Sequence, residues 1–286
     1  MATQILEREV IVVDAVKETE DSTTLYLSEG ENHPQYKAGQ FLTVDPHQFP
    51  ALERWCLYLE KEKGKKEPVR AYSLASAPHE KYVSFTVKED PYYPDEDPYP
   101  PLLSPILTFR IPVGTKMTIK GYTGSYTMND EIAENAETIL HGCAGSGIVP
   151  NFSIIKDELH NGSTKKHILI FTNKTWNDII YREALSALES EYPDRLKIIH
   201  LITREKKPEL ESMGVRWGRP TIELVREMIK EPSSTAAFIC GPGITSYEKK
   251  AAKETGLELV PRFLETMLQF AEEVGIPKGM IKKETW

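Results

Sequence analysis

Cysteine is scarce in this sequence, and its scarcity excludes several kinds of site. The 286 residues include three cysteines, Cys56, Cys143 and Cys240, and no two of them form a CxxC pair. Three scattered cysteines predict neither a disulfide framework nor a zinc site. Because an iron–sulfur cluster needs about four cysteine ligands, we expect the chain to hold no cluster, and we predict no other metal.

Long apolar runs are also missing. No run approaches the roughly 20 apolar residues that cross a bilayer. The first residues, Met1–Arg8, lack the charged start and apolar core of a secretory signal. We therefore expect a cytoplasmic protein without a membrane span.

Positive charge is not in excess, since the net charge is −8 at pH 7. A chain with no concentrated basic surface is not expected to bind nucleic acid, although a local basic patch is compatible with an acidic average. The length is enough for one large domain or two ordinary ones with apolar cores. The sequence leaves the oligomeric state open.

The first part of the chain contains short β-branched or aromatic runs separated by glycine and proline. Runs of this length and spacing predict the strands of a barrel or sandwich. The predicted strands are Val10–Val13, Thr24–Leu27, Phe41–Val44, Tyr82–Val87 and Met117–Lys120. We assign residues 1–130 to this antiparallel β domain.

Two polar segments interrupt these strands. The mixed charges of Glu60–Glu67 predict a solvated hairpin tip. The prolines of Glu89–Pro101 exclude a helix or a central strand, and its tyrosines are too numerous for a simple solvated linker. We expect this second segment to be an ordered loop whose role the sequence does not assign.

From about residue 135 the pattern changes to apolar runs that alternate with segments of helical spacing. Such runs are typical of a buried parallel sheet, and the alternation predicts a doubly wound α/β domain. The predicted strands are Thr138–His141, His167–Phe171, Lys197–Leu201 and Ala236–Cys240, and the predicted helices are Ile154–Leu159, Ala184–Leu188, Thr221–Ile229 and Phe263–Val274. We assign residues 131–286 to this domain, with the boundary in the polar stretch Met128–Glu134.

The motif Arg70-Ala71-Tyr72-Ser73 closes a run of β-type sequence. An arginine offers a fork of donors that suits a phosphate. A tyrosine two residues later lies on the same face of a strand, where its ring can stack on a flat cofactor, and the hydroxyl of Ser73 can reach the edge of that cofactor. These groups meet the needs of a flavin nucleotide, although a four-residue match is common by chance.

A second motif, Gly142-x-x-Gly145-x-Gly147, follows one predicted strand and opens a helix. The missing side chains allow a pyrophosphate to approach backbone N–H groups and the helix dipole. The spacing differs from the G-x-G-x-x-G of dehydrogenases, so the prediction depends on the position of the glycines after a buried strand. We expect a turn that binds a nicotinamide dinucleotide.

Together with their surroundings, these motifs resemble the ferredoxin–NADP⁺ reductase superfamily. The stretches Ala38-Gly39-Gln40-Phe41 and Arg70-Ala71-Tyr72-Ser73-Leu74-Ala75-Ser76 are similar to the family's P-G-Q-F and R-x-Y-S-[ILV]-x-S. The resemblance implies an N-terminal flavin-binding β-barrel in which the flavin contacts Arg70, Tyr72, Ser73 and Leu74.

The chain departs from the family pattern at the next two motifs. Ser104 stands where the family has the serine of a pyrophosphate-binding G-x-x-S turn, but Pro101 replaces the glycine. The stretch Gly121-Tyr122-Thr123-Gly124 resembles the family's G-P-x-G at the end of the barrel, and Tyr122 stands where proline is usual. The resemblance favours FAD as the cofactor, with Ser104 on its pyrophosphate, and leaves FMN as the less favoured alternative.

The second domain continues the resemblance. Gly145-Ser146-Gly147-Ile148-Val149-Pro150 and Cys240-Gly241-Pro242 are similar to the family's G-[ST]-G-[IV]-[AT]-P region and C-G-P motif. The implied nucleotide-binding residues are Gly142, Gly145, Gly147, Pro150, Lys174, Thr203, Arg204, Arg219, Cys240, Gly241, Pro242 and Trp286. Thr203, Arg204 and Arg219 resemble the spacing in NADPH-using members, so NADPH is favoured and NADH stays open.

Four residues are implied to border the site of hydride transfer: Ser73, Cys240, Glu284 and Trp286. In the family, an aromatic residue near the terminus covers the flavin and a glutamate two residues earlier orients the nicotinamide. From the residues alone, Cys240 can equally be an inert buried thiol and Trp286 a frayed terminal residue.

The resemblance implies a flavin-dependent oxidoreductase that takes hydride from NAD(P)H onto FAD. Its electrons would pass to a separate carrier, such as a ferredoxin, a flavodoxin or an oxygenase component. Two alternatives stay open. One is a flavin-binding electron-transfer subunit of a larger complex, although such subunits normally carry a cysteine-rich tail. The other is a free-flavin reductase, which would need only a shallow site.

Overall fold

The computed structural model describes residues 6–30, 34–89, 91–95 and 97–285. The chain divides into two compact units, Met1–Ser125 and Tyr126–Trp286. Within the described residues, no helix is both long enough and apolar enough to cross a membrane.

The first unit is a six-stranded antiparallel sheet with the strand order β4-β3-β6-β1-β2-β5. Its strands are β1 (Leu6–Thr19), β2 (Ser22–Ser28), β3 (Phe41–Val44), β4 (Arg70–Ser73), β5 (Val83–Lys88) and β6 (Lys116–Thr123). An isolated antiparallel bridge between Leu74 and Phe85 joins the two edges, and the N–H of Ala75 donates to the carbonyl of Ser84 at 2.7 Å. The sheet therefore closes on itself, which confirms the predicted barrel over the sandwich.

Alternation of side chains across these strands builds the barrel core. Val10, Leu25, Leu42, Phe85 and Ile119 each lie at 1% exposure or less. Two helices connect the strands, α1 (Glu53–Lys63) and α2 (Ser104–Phe109). The described residues between β5 and α2 contain no helix or strand, as the prolines of that segment predict.

The prediction of a solvated hairpin tip at Glu60–Glu67 is wrong. Glu60 lies in the last turn of α1, which ends at Gly64 in a left-handed conformation with φ of 65°. Cys56 and Leu59, on the inner face of α1, are buried with Leu52 just before it, at the spacing of a helix face. The apolar face outweighs the charges of the outer face, and Glu67 itself is only 3% exposed.

The second unit is a six-stranded parallel sheet with the order β10-β9-β8-β7-β11-β12. Its strands are β7 (Thr138–Ala144), β8 (Lys166–Asn173), β9 (Leu196–Ile202), β10 (Arg216–Trp217), β11 (Thr235–Gly241) and β12 (Ile281–Thr285). Its helices are α3 (Asp130–Asn135), α4 (Ile148–His160), α5 (Arg182–Glu191), α6 (Pro208–Glu211), α7 (Ile222–Met228), α8 (Ser246–Thr255) and α9 (Phe263–Glu273). The predicted doubly wound α/β arrangement is confirmed.

The order of strands reverses between β7 and β11, which are hydrogen-bonded neighbours. In an open α/β sheet, such a switch point leaves a crevice outside the carboxyl ends of the strands, where ligands bind. The last strand, β12, extends the sheet beyond β11 in parallel. Because β12 runs parallel to β11, its last residues lie at the same carboxyl edge of the sheet as the end of β11.

Candidate functional site

The predicted nucleotide-binding residues of the second unit follow the carboxyl ends of its strands. Gly145 follows β7, Lys174 follows β8, Thr203 and Arg204 follow β9, and Pro242 follows β11. Arg219 comes shortly after β10. Because the carboxyl ends of parallel strands share one edge of the sheet, the fold brings these separate sequence motifs to that edge.

The glycine turn itself is shorter than predicted. Gly142 lies inside β7, and the turn consists of Gly145–Gly147 before the start of α4. Gly145 adopts a positive φ of 52°, which favours glycine. A Cβ atom on Gly147 would lie 2.2 Å from the carbonyl oxygen of Cys240. Gly147 is therefore required for close packing of the turn on β11.

Packing and backbone hydrogen bonding also explain the other glycines and prolines of these motifs. A Cβ atom on Gly142 would lie 2.9 Å from the Cε atom of Met267, and one on Gly241 would lie 2.6 Å from the ring of Phe263. Pro150 is buried in the first turn of α4, where the missing N–H is tolerated. The half-buried Pro242 accepts the N–H of Leu264 at 3.0 Å. These residues shape the crevice whether or not a ligand touches them.

A buried polar network lies directly under the turn. The amide nitrogen of Asn151 donates to the carbonyl of Gly147 at 3.1 Å and to the hydroxyl of Tyr126 at 3.0 Å. Its amide oxygen is 2.8 Å from Nδ1 of His141, whose Nε2 is 3.1 Å from Nδ1 of His167. Burial lowers the pKa of His141 to about 4, so the imidazole is neutral.

Sequence reasoning missed this network. Its visible signal was the presence of two histidines, His141 and His167, in strands that are otherwise apolar. The amide orientation follows from the carbonyl of Gly147, which can only accept. The oxygen of Asn151 therefore faces His141 and holds the proton of that imidazole on Nδ1.

Asn173 offers polar groups to a ligand at the end of β8. Its amide nitrogen and oxygen are both buried and have no hydrogen-bond partner among the described residues, and the hydroxyl of Thr172 is in the same condition. Buried polar groups in native proteins are nearly always satisfied. A nucleotide with ribose hydroxyls and phosphates would satisfy them, so these residues fit such a ligand. Sequence reasoning did not assign Asn173 to the site.

The three predicted cations at this edge are exposed. Backbone hydrogen bonds hold their loops together, since the N–H of Arg204 donates to the carbonyl of Lys174 at 2.8 Å and that of Gly218 donates to Ile202 at 2.8 Å. Thr203 is tied to Asn173 through its hydroxyl at 3.1 Å. Within the described part of the chain, none of Lys174, Arg204 and Arg219 forms an ion pair. Their charges are available to an anionic group.

Strand register brings two of the predicted transfer-site residues together. Cys240 is paired with Glu284 of β12 on one side and with Cys143 of β7 on the other. Cys240 is 2% exposed, and burial, with a smaller contribution from Glu284, raises the pKa of its thiol well above the ordinary value. The thiol is therefore protonated at neutral pH. The predicted role of Trp286 lies outside the described residues.

In the first unit, the flavin motif forms β4 itself. Arg70 lies opposite Val44, Tyr72 opposite Leu42, and Ser73 opposite Phe41. The ring of Tyr72 lies 5.2 Å from that of Phe85 between centroids, and burial raises the pKa of its hydroxyl. Arg70, Tyr72 and Ser73 all remain partly exposed, so each can meet a ligand at the surface of the barrel.

Leu74 and Ser104 occupy different settings. The side chain of Leu74 is fully buried in the barrel core, and its N–H donates to the carbonyl of Gln40 at 2.8 Å. Leu74 therefore closes the barrel, and neither its side chain nor its N–H is free for a cofactor. Ser104 is the first residue of the six-residue helix α2 and is half-buried.

Arg70 already has protein partners. Its Nη2 lies 2.8 Å from Oε2 of Glu67, and its Nη1 donates to the carbonyl of Pro68. Glu67 also accepts a hydrogen bond from Nζ of Lys63 at 2.6 Å. Two cations share one carboxylate, so one positive charge is left in excess, and this donor set fits a phosphate. Sequence reasoning missed Glu67, whose burial depends on the undetected helix α1.

Comparison with known proteins agrees with this geometry. Residues 143–247 match the family described as Oxidoreductase NAD-binding domain. NADH nitrate reductase 1 of Zea mays is 35% identical over 144 residues, which cover 46% of this chain and 23% of that protein. The ferredoxin reductase component of the 3-ketosteroid-9-alpha-monooxygenase of Rhodococcus rhodochrous is 28% identical over 282 residues, which cover 97% of this chain and 64% of that protein. The chain thus spans less than two thirds of the length of these relatives.

A solved structure extends the similarity to the whole fold. The flavohem-like FAD/NAD-binding domain of nitric oxide dioxygenase from Vibrio cholerae O1 biovar El Tor is similar with a TM-score of 0.70. The match covers 98% of each chain at 17% sequence identity. It therefore establishes a shared fold of barrel and parallel sheet.

Proposed function

We propose that the chain is a member of the ferredoxin–NADP⁺ reductase superfamily of oxidoreductases, and that it is an FAD-dependent reductase that oxidises NADPH or NADH; the match of residues 143–247 to an oxidoreductase NAD-binding domain and the similarity to a ferredoxin reductase component support this. The observation that carries the proposal is the carboxyl edge of the parallel sheet. There the Gly145–Gly147 turn follows β7, and the unpartnered amide of Asn173 and the Cys240–Glu284 pair lie at the carboxyl ends of strands of the same sheet. Such an edge is where α/β proteins bind dinucleotides.

The barrel supplies the flavin site in this proposal. Arg70 and Ser104 contact the pyrophosphate, Tyr72 packs along the cofactor and the hydroxyl of Ser73 faces the ring edge. FAD held by these residues would supply the redox chemistry, which is the acceptance of hydride from a nicotinamide nucleotide and the release of electrons one at a time. The contribution of each unit is to bind and orient its own cofactor.

The second unit supplies the nucleotide site. The turn at Gly145–Gly147 receives the pyrophosphate on its N–H groups and on the start of α4. Lys174, Arg204 and Arg219 attract the 2′-phosphate of NADPH, which favours NADPH over NADH. Beside the nicotinamide, the protonated thiol of Cys240 contributes a neutral surface, and Glu284 offers a carboxylate to the carboxamide.

The electrons leave to a separate redox protein. One relative is named as the ferredoxin reductase component of an oxygenase, which supports a ferredoxin, a flavodoxin or an oxygenase component as the acceptor. The absence of nucleic-acid binding and the cytoplasmic location stay predictions from the sequence.

Cofactor content is the direct test. Protein mixed with FAD and passed over a desalting column should keep a flavin absorbance spectrum, and NADPH should bleach it faster than NADH does under anaerobic conditions. Wild-type protein that retains no flavin after this treatment would contradict the proposal. Arg70→Ala should retain at least tenfold less flavin, since a charge-assisted hydrogen bond contributes about 1.5–3 kcal/mol.

A further inference from the structure

We propose that Glu67 is the positioning residue for Arg70 and thereby sets how firmly the barrel holds the flavin phosphate. This inference rests on the proposed function, in which Arg70 contacts that phosphate. It concerns a residue outside the flavin motif, on the segment that joins β3 to β4.

The carboxylate of Glu67 is buried and both of its oxygens are in use. Its side chain is 1% exposed, with Oε2 at 2.8 Å from Nη2 of Arg70 and Oε1 at 2.6 Å from Nζ of Lys63. A buried charge without partners is strongly unfavourable. Glu67 therefore keeps both cations close, and Arg70 cannot leave it without cost.

Glu67 is itself held by a chain of contacts through Glu60 of α1, which consists of one backbone hydrogen bond and two ion pairs. Its N–H donates to Oε1 of Glu60 at 3.0 Å, and Glu60 lies 2.8 Å from Nε2 of His47. Nδ1 of His47 lies 2.6 Å from Asp45. Asp45 directly follows β3, and Glu67 precedes β4 by a few residues. The whole segment is thus braced between β3 and β4, and β4 is the strand that carries the flavin motif.

The arrangement orders Arg70 without cancelling its charge. A guanidinium has five N–H donors, of which one goes from Nη2 to Glu67 and one from Nη1 to Pro68, so three remain for a phosphate. Because Glu67 is shared with Lys63, its carboxylate does not by itself cancel the charge of Arg70. Because a long side chain loses rotamer freedom when it binds, an arginine that is already ordered binds its ligand more tightly.

A double-mutant cycle separates positioning from general folding. The variants are Glu67→Gln, Arg70→Ala and the double variant, with FAD affinity and dissociation rate measured by quenching of flavin fluorescence on apoprotein. We expect Glu67→Gln to weaken FAD binding about tenfold when Arg70 is present and less than twofold when it is absent. Glu62→Gln, which makes the same charge change at an exposed position of α1, should leave both quantities unchanged.

Each other outcome has a definite meaning. An equal loss in both backgrounds would show that Glu67 supports the barrel and not Arg70, which overturns the inference. Tighter FAD binding by Glu67→Gln would show that the carboxylate competes with phosphate, which also overturns it. Unchanged FAD affinity in Arg70→Ala alone would instead contradict the proposed function. If Glu67→Gln does not fold, Glu67→Asp keeps the charge on a shorter side chain and should show the same dependence on Arg70.

Discussion

Arg70 in the first unit and Arg204 in the second are both proposed to meet a phosphate, yet their surroundings differ. Arg70 is bound to a buried carboxylate that it shares with Lys63. Arg204 is exposed, as are its neighbours at the carboxyl edge, and forms no ion pair within the described residues. A buried carboxylate thus holds one arginine before any ligand arrives, whereas no ion pair among the described residues holds the other.

This difference suits ligands that stay for different times. An ordered donor loses little entropy on binding, which slows dissociation and favours a resident cofactor. An unpaired cation attracts an anion at long range, but its side chain loses conformational entropy when the anion binds. This combination suits a nucleotide that must exchange in each turnover. Under the proposed function, the barrel retains its flavin and the parallel sheet exchanges its nicotinamide nucleotide.

Histidine shows the same contrast. His47 lies between two carboxylates, and its hydrogen bonds to Asp45 and Glu60 raise its pKa. In the second unit, burial lowers the pKa of His141 to about 4 and that of His167 well below its ordinary value. The first unit thus stabilises a charged imidazole and the second stabilises neutral ones.

The largest expected effect concerns the packing under the nucleotide turn. Gly147→Ala places a Cβ atom 2.2 Å from a backbone oxygen of β11 that cannot move alone. We expect a loss of about 3 kcal/mol or more in the free energy of unfolding, because overpacking against backbone has no cheap relief. Denaturant unfolding followed by circular dichroism measures it.

Gly142→Ala is the matched control for this prediction. Its Cβ atom would meet the flexible end of Met267 at 2.9 Å. That end can shift, so we expect a loss of about 1 kcal/mol. Equal losses in the two variants would mean that the turn does not depend on its contact with β11.

The second effect is acid destabilisation of the parallel-sheet unit. A histidine whose pKa is lowered in the folded state contributes stability above its unfolded pKa of about 6.5, and this is lost as the pH falls toward the folded pKa. For His141 the window runs from about 6.5 down to about 4 and corresponds to about 3 kcal/mol. Unfolding free energies at several pH values across this window test it. His167→Phe should flatten the profile, and a flat wild-type profile would contradict the neutral network.

Much of the fold could be predicted because it depends on local patterns. The short β-type run Thr24–Leu27 and the apolar run Ala236–Cys240 lie within strands of the structure, since such runs fit a buried pleated surface. Helix α1 was missed because its charged outer face hid the buried Cys56 and Leu59. Strand β12 was missed because Lys282 and Lys283 make an edge strand look like a solvated tail.

The site divides in the same way. The glycine, cysteine and arginine positions come from short contiguous motifs, so the sequence alone singles them out, and their binding roles stay predictions. Asn151 and Glu67 could not be predicted, since each acts through partners that only the tertiary structure brings near. Asn151 meets His141 on another element, and Glu67 meets Lys63 on a helix that the sequence did not reveal.

A smaller effect is expected on coenzyme choice. Arg204→Ala removes one unpaired cation from the carboxyl edge, and a charge-assisted contact to a phosphate contributes about 1.5–3 kcal/mol. Steady-state kinetics should therefore show the KM for NADPH raised about tenfold or more, with the KM for NADH changed less than about twofold. Lys253→Ala, an exposed cation on α8, serves as the control. Equal changes for both coenzymes would remove Arg204 from the 2′-phosphate site.

The smallest effect tests the contrast between the two units most directly. His47 has a raised folded pKa, so its contribution to stability is fully present below about pH 6.5 and is lost as the pH rises through the folded value. The wild-type protein should therefore be more stable than His47→Gln at pH 6, and the difference should shrink by pH 9. Because the imidazole is 27% exposed, solvent screening limits the difference to about 1 kcal/mol. The pH dependence has the opposite sign to that of His141, so a stability difference that grows with pH would show that the carboxylates do not hold a charged His47.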